Sequence, residues 1–102
     1  MSNYTDNTTD SNDDIYMLRL YVAGAGFHSS NAIQNLKEIC SQYLDGRFEL
    51  EVVDVYQNRE LAEQEQLVAL PMLLKISPLP ARRLVGDMAN KEKVLNCLGF
   101  YE

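Results

Sequence analysis

A single histidine, two cysteines and a glycine-rich turn are the features of this 102-residue chain that could support chemistry. His28 is followed directly by Ser29 and Ser30, and a histidine beside a hydroxyl could act as a general base towards a nucleophile. Serines ahead of an amphipathic stretch are also typical helix caps, so we expect Ser29 or Ser30 to cap a helix rather than to catalyse a reaction. One histidine and two distant cysteines do not have the spacing of metal ligands, and the sequence predicts no metal site.

The cysteines argue against thiol redox chemistry. Cys40 and Cys97 do not form a Cys-x-x-Cys pair. A dithiol oxidoreductase needs a cysteine of low pKa at the start of its first helix, where this chain has the residues Gly26 to Ser30. We therefore predict that both cysteines are small core residues without a disulfide, and that the protein is not a dithiol oxidoreductase.

The glycine-rich turn Gly24-Ala25-Gly26 is a weak candidate for a phosphate cradle. It lacks the third glycine of a dinucleotide fingerprint and has no Gly-Lys-Ser/Thr motif. A turn between a strand and the following helix explains these glycines better than phosphate binding does. We therefore expect no cofactor.

The adjacent arginines Arg82 and Arg83 are the best binding candidates. Neighbouring side chains of a strand point to opposite faces, so at most one of the two can point inwards. Arginine suits interface ion pairs and bidentate carboxylate contacts. A charged edge strand that is protected from aggregation explains the pair equally well, and the pattern alone leaves both interpretations open.

Charge is unevenly distributed along the chain, which has a net charge of −6. Residues 1–14 contain four aspartates and no basic residue, and their polar composition predicts a disordered acidic arm. The remaining residues, 15–102, are nearly balanced in charge, which excludes an electrostatic fit to DNA or RNA. No apolar run approaches the roughly 20 residues of a membrane span. The first residues have neither a basic start nor a hydrophobic stretch, so we expect no signal peptide. We expect a cytoplasmic protein with one folded domain.

The hydrophobic pattern predicts seven elements in the order βαβαββα. Residues 15–23 form an apolar strand buried on both faces, and an amphipathic helix follows it until Asp45-Gly46. Residues 48–55 form a second, parallel strand, and Asn58 caps a short helix that runs to about Leu67. A hairpin of strands 72–76 and 82–86 precedes a last helix that Asn90 caps. This order predicts a thioredoxin-like α/β fold.

Three prolines surround the predicted hairpin. Pro71 opens its first strand, and Pro78 and Pro80 mark its corner, because proline lacks the amide donor of a strand interior. All three are candidates for cis peptide bonds, since the cis form before proline costs only about 0.5–1 kcal/mol.

Several motifs together resemble the KaiB family of circadian clock proteins. The resemblance covers about residues 16–95 without a gap. It is carried by these segments: Leu20-Tyr21-Val22-Ala23-Gly24, Val52-Val53-Asp54-Val55, Leu61-Ala62-Glu63, Pro71 with Lys75, residues 78–87 (PLPARRLVGD), and Lys93-Val94-Leu95.

The resemblance implies a non-enzymatic regulator that binds the hexameric ATPase KaiC and shifts its phosphorylation state. It also implies metamorphism between a tetrameric KaiB fold and a thioredoxin-like monomer, with Pro71, Pro78 and Pro80 as fold-switch candidates. Lys75, Arg82 and Arg83 are the partner-binding residues that it implies. A KaiA-like protein, a histidine kinase and further copies of the chain are the other partners to expect.

A second interpretation is a KaiB-like stress-response or signalling module that does not bind a KaiC protein. Cyanobacterial members of the family are basic at the positions occupied here by Asn31, Gln57 and Gln66, which are neutral. The family resemblance is therefore compatible with a KaiC protein as the partner and also with a partner of another kind.

Overall fold

The computed structural model describes residues 15–65 and 69–100. The arm predicted for residues 1–14 lies outside the described residues, and so do residues 66–68, where the second helix was expected to end. Within the described part of the chain, no helix is long and apolar enough to cross a membrane.

Within the described residues, seven elements follow one another in the order βαβαββα, which confirms the predicted order. They are β1 (Tyr16–Val22), α1 (Phe27–Tyr43), β2 (Phe48–Asp54), α2 (Arg59–Gln64), β3 (Met72–Ser77), β4 (Arg82–Val85) and α3 (Lys91–Leu98).

The four strands form one mixed sheet in the order β2-β1-β3-β4. β1 pairs with β2 in parallel and with β3 in antiparallel orientation, and β4 pairs only with β3. Because β1 is a central strand with helices on both faces of the sheet, its sequence is apolar almost throughout. Leu18, Leu20 and Tyr21 are all buried, which confirms the prediction of a strand that is buried on both sides.

One face of the sheet carries the main core, between the strands and the two longer helices. Leu20 of β1 and Leu73 of β3 pack there against Leu36 of α1 and Val94 of α3, and all four side chains are fully buried. The opposite face has a smaller cluster around Tyr21, Val53, Met72 and Leu74, on which Leu61 of the short helix α2 packs.

The predicted serine cap of α1 is wrong. The chain turns at Gly24, whose φ of +74° is accessible to glycine at little cost, and the helix begins directly after Gly26. The N-cap is therefore Gly26, and the amide of Ser30 donates to its carbonyl oxygen. Ser29 is buried in the first turn of α1 rather than exposed ahead of it.

The two asparagine caps have different outcomes. Asn90 accepts a hydrogen bond from the amide of Lys93 and caps α3 as predicted. Asn58 is at the N-cap position of α2, but its side chain donates to the carbonyl oxygen of Asp54 and does not cap the helix. The carboxylate of Asp54 accepts from the amides of Gly24 and Tyr56, so this residue joins the turn after β1 to the turn after β2.

Candidate functional site

The hairpin of β3 and β4 carries the three predicted partner-binding residues, and its register divides them between the two faces of the sheet. Lys75 is paired with Arg82, and Leu74 is paired with Arg83. Paired residues of neighbouring strands share a face, so Lys75 and Arg82 lie on the side of α1 and α3. Arg83 lies on the side of α2. The prediction that the two arginines point to opposite faces is therefore confirmed.

Lys75 is almost completely buried, with 3% of its surface exposed. Its ammonium lies at the carbonyl end of α3, where a side-chain carbon placed on Gly99 would be 3.8 Å from Nζ. Burial lowers the pKa of Lys75, and the neighbouring positive charge of Arg82 lowers it further. In this fold Lys75 is not accessible to a partner.

Arg83 is half-exposed and is held by one acidic residue. Its guanidinium donates to the backbone carbonyl of Glu65 at 2.9 Å and to the Glu65 carboxylate at 3.1 Å. The side chain of Arg83 keeps 46% of its surface exposed. An ion pair this open to solvent contributes about 0.2–1 kcal/mol, so Arg83 could exchange Glu65 for a carboxylate of a partner at small cost.

A substitution of Lys75 tests its burial through the pH dependence of stability. Because the folded protein lowers the pKa of Lys75, the unfolded chain binds more protons, and the free energy of unfolding gains a contribution as the pH rises towards 10.5. Chemical denaturation at pH 7 and pH 9.5 should show wild type gaining stability relative to Lys75→Met. A constant difference between the two proteins would show that the ammonium is well solvated.

The three prolines of the hairpin were named above as candidates for cis peptide bonds. The peptide bonds before Pro71, Pro78 and Pro80 are all cis. The carbonyl of Pro71 accepts from the amide of Gly86, which joins the start of β3 to the end of β4. Leu79, between the two corner prolines, is 81% exposed. A role of these prolines in a fold switch stays a prediction.

The start of α1 is the place where a dithiol oxidoreductase has its reactive cysteine, but this chain has no cysteine there. A groove of about 220 Å³ lies there between Phe27, His28 and Pro71. Among the described residues, no hydrogen bond joins His28 to Ser29 or Ser30, so the pair of base and nucleophile is not assembled.

The two cysteines do not line this groove and are buried without a disulfide, as predicted. Burial raises the pKa of Cys40 to about 12 and also raises the pKa of Cys97, so neither thiol forms a thiolate readily. Residues 15–65 and 69–100 contain no group of three or more metal-ligating side chains.

A family model described as "KaiB domain" matches residues 19–100. The chain belongs to the KaiB family. It is 46% identical over 80 residues to the circadian clock oscillator protein KaiB of Trichodesmium erythraeum, covering 78% of this chain and 77% of the relative. The corresponding KaiB of Synechococcus elongatus is 45% identical over 80 residues and 78% of each chain. The resemblance stated from the motifs is thus confirmed.

Solved structures with the same fold include the N-terminal domain of SasA and several thioredoxins. The N-terminal domain of SasA from Synechococcus elongatus superposes with a TM-score of 0.69 at 22% identity, over 93% of both chains. The thioredoxin Deadhead of Drosophila melanogaster gives a TM-score of 0.67 at 16% identity, over 86% of this chain and 82% of the thioredoxin. At these identities the likeness concerns the fold alone, and it confirms the thioredoxin-like fold predicted from the order of elements.

Sequence reasoning predicted neither the residue that contacts Arg83 nor the burial of Lys75. The contact between Arg83 and Glu65 joins residues 18 positions apart, and no pattern in the sequence points to it. The burial of Lys75 was also missed, because a lysine in the run Met72–Ser77 is equally compatible with a solvent-facing position. Side chains alternate between the two faces along β3, so Lys75 lies on the same face as the core residue Leu73, two positions earlier. This spacing was the signal in the sequence that could have indicated the burial of Lys75.

Proposed function

We propose that this KaiB-family protein is a non-enzymatic regulator that binds a KaiC-type hexameric ATPase and modulates its phosphorylation state in a timing system. The observation that carries the proposal is the identity of about 45% to proteins named as circadian clock oscillator proteins, over most of both chains. The relatives carry no enzyme name, and the position of the thioredoxin thiols is occupied here by Gly26 to Ser30.

The proposed contact with the ATPase centres on the edge strand β4. This strand has only one neighbour in the sheet, and it offers a half-exposed guanidinium and one exposed apolar side chain, with a second exposed apolar side chain in the corner that precedes it. Arg83 supplies the charge, and Val85 and Leu79 are 48% and 81% exposed. Arginine is one of the residue types enriched among the energetically dominant positions of interfaces.

Arg82 and Lys75 join this contact only if the hairpin rearranges. Arg82 lies on the opposite face and makes contacts of its own, and Lys75 is buried. A second arrangement of the segment around Pro71, Pro78 and Pro80 would expose both residues. The metamorphism that the family resemblance implies is thus part of the proposal, as is a homo-oligomeric form of the free protein.

Other partners and the location belong to the same proposal. A KaiA-like protein and a histidine kinase would act with the complex in the cytoplasm. A stress-response module without a KaiC partner is not favoured, since the relatives are named after the clock oscillator.

Gel filtration of the protein with the KaiC-type ATPase of the same organism tests the proposed function. Mixtures with ATP and with ADP are sampled from minutes to hours, and the ATPase alone and the protein alone serve as references. We expect a complex whose amount depends on the nucleotide. The absence of co-elution with either nucleotide after a day would contradict the proposal.

A further inference from the structure

A buried serine in the first turn of α1 lines the groove of about 220 Å³ at the start of this helix. Ser29 is 5% exposed and lies on the buried side of α1, one turn before Ala32, where the space that it borders is the groove. Among residues 15–65 and 69–100, no group forms a hydrogen bond with its hydroxyl. Buried hydroxyls are in their large majority hydrogen-bonded, because an unsatisfied one costs free energy. The hydroxyl of Ser29 therefore lacks a partner that a ligand in the groove could supply.

Backbone amides at the same end of α1 also have no acceptor. Gly26 is the N-cap, and within the described residues the amide of Ser30 is the first of the helix to donate a hydrogen bond. The three amides before it, those of residues 27–29, are therefore available, as is usual in the first turn of a helix. This turn contains no acidic side chain and no side chain caps it, so no residue of the turn compensates the positive end of the helix dipole.

The groove is open to an anion and has an apolar side. No carboxylate is among its lining residues, and a side-chain carbon placed on Gly26 would meet no atom within 4 Å. Its 220 Å³ correspond to about seven water molecules at about 30 Å³ each, which leaves space beyond a single phosphate group. Phe27, Leu70 and Pro71 provide apolar contact area beside the amides, and Phe27 is 73% exposed.

We propose that Ser29 and the first amides of α1 bind a phosphate group in this groove. Helix N-termini are common phosphate sites, because the amides point at the ligand and the helix dipole favours negative charge. The hydroxyl of Ser29 donates to a phosphate oxygen and so gains the partner that it lacks within the described protein. The site differs from the glycine cradle of a nucleotide fingerprint, since its donors are a helix end and a serine.

Two sources have this chemistry. One is free inorganic phosphate, and the other is the phosphate monoester of a small organic molecule whose organic part contacts Phe27 and Pro71. The proposal does not depend on the KaiC-type partner, and its test contains none, so the two proposals can fail separately.

Amide NMR of the full chain tests the site with three defined ligands. Inorganic phosphate, phenyl phosphate and phenol are titrated at constant ionic strength, and the resonances of residues 27–29 are followed. We expect saturable shifts with phosphate, whereas phenol, which has the ring without the phosphate, should leave these resonances in place. Tighter binding of phenyl phosphate identifies a monoester as the ligand, and equal or weaker binding identifies the free ion.

Ser29→Ala and Ser30→Ala are a matched pair for this titration. Both remove a hydroxyl near the start of α1, but Ser30 is exposed and does not line the groove. Ser29→Ala should weaken phosphate binding about tenfold, since a hydrogen bond to a charged group is lost, and Ser30→Ala should stay within roughly twofold of wild type. Without phosphate, Ser29→Ala should retain the Tm of wild type, because no described group bonds to its hydroxyl.

Phe27→Pro and Phe27→Ala test the contribution of the helix amides. Proline removes the amide of residue 27 and is well tolerated at the first position of a helix. Gly26 is extended, with a φ of −76° and a ψ of −176°, which is compatible with a following proline. Phe27→Pro should therefore bind phosphate more weakly than Phe27→Ala, which removes the ring but keeps the amide.

The proposal is overturned if neither phosphate gives saturable shifts, or if phenol gives the same shifts. Unchanged affinity in Ser29→Ala also overturns it, and so does equal affinity of Phe27→Pro and Phe27→Ala. Either comparison decides the matter alone if a variant of the other fails to fold.

Discussion

Replacing Arg83 with alanine should weaken binding to the KaiC-type ATPase at least tenfold. Arginine truncations at the centre of an interface commonly cost more than about 1.4 kcal/mol, which corresponds to a tenfold change in affinity. Arg83 is half-exposed on the edge strand β4, and its ion pair with Glu65 is open to solvent. The loss of that pair should lower fold stability by less than about 1 kcal/mol, so the variant remains folded. Titration of the labelled protein with the ATPase, after equilibration for hours, measures the affinity.

Lys37→Ala is the control for this measurement. Lys37 is also exposed, but it lies on α1, which packs on the face of the sheet opposite to Arg83, so its removal changes the net charge by the same amount without touching the proposed contact. Arg82→Ala examines the opposite face. A loss of affinity for both arginine variants would fit a partner that contacts both sides of the edge strand or a rearranged hairpin. Affinity within twofold of wild type for Arg83→Ala would remove this residue from the contact.

Replacing Leu20 with alanine should destabilise the fold by about 2–5 kcal/mol. Leu20 is fully buried in the central strand β1 and belongs to the main core between the sheet and the two longer helices. Truncation of a buried leucine removes its transfer free energy and leaves a cavity that the surrounding side chains fill only in part. Because a domain of this size has about 5–15 kcal/mol of stability in total, the loss should be large in urea denaturation.

Val52→Ala is the matched control for Leu20→Ala, because Val52 is the register partner of Leu20 on the neighbouring strand β2. Both residues lie in the same row of the sheet, but Val52 is 40% exposed. Its truncation should cost less than about 1 kcal/mol, since little apolar surface is uncovered and no closed cavity forms. Equal losses of unfolding free energy for the two variants would mean that the burial of Leu20 in the central strand does not stabilise the core.

Local chemistry and periodicity were sufficient for much of the fold. The apolar run at β1, the three- and four-residue spacing in α1 and the cap at Asn90 each depend on residues a few positions apart, so they can be read from one stretch of sequence. Alternation along a strand was also enough to place Arg82 and Arg83 on opposite faces. The cap of α1 was placed incorrectly because Gly24 turns the chain earlier than the serines suggest.

The sequence by itself determined the family, the order of the elements and the absence of a thiol from the start of α1, because these depend on residue identity and on local spacing. Only the tertiary structure decided that Lys75 is buried at the end of α3 and that Arg83 is held by Glu65. Both results depend on which strands are neighbours and in what register, and on which helix covers each face. Such long-range pairings are selected by the packing of the whole core, which no single segment encodes.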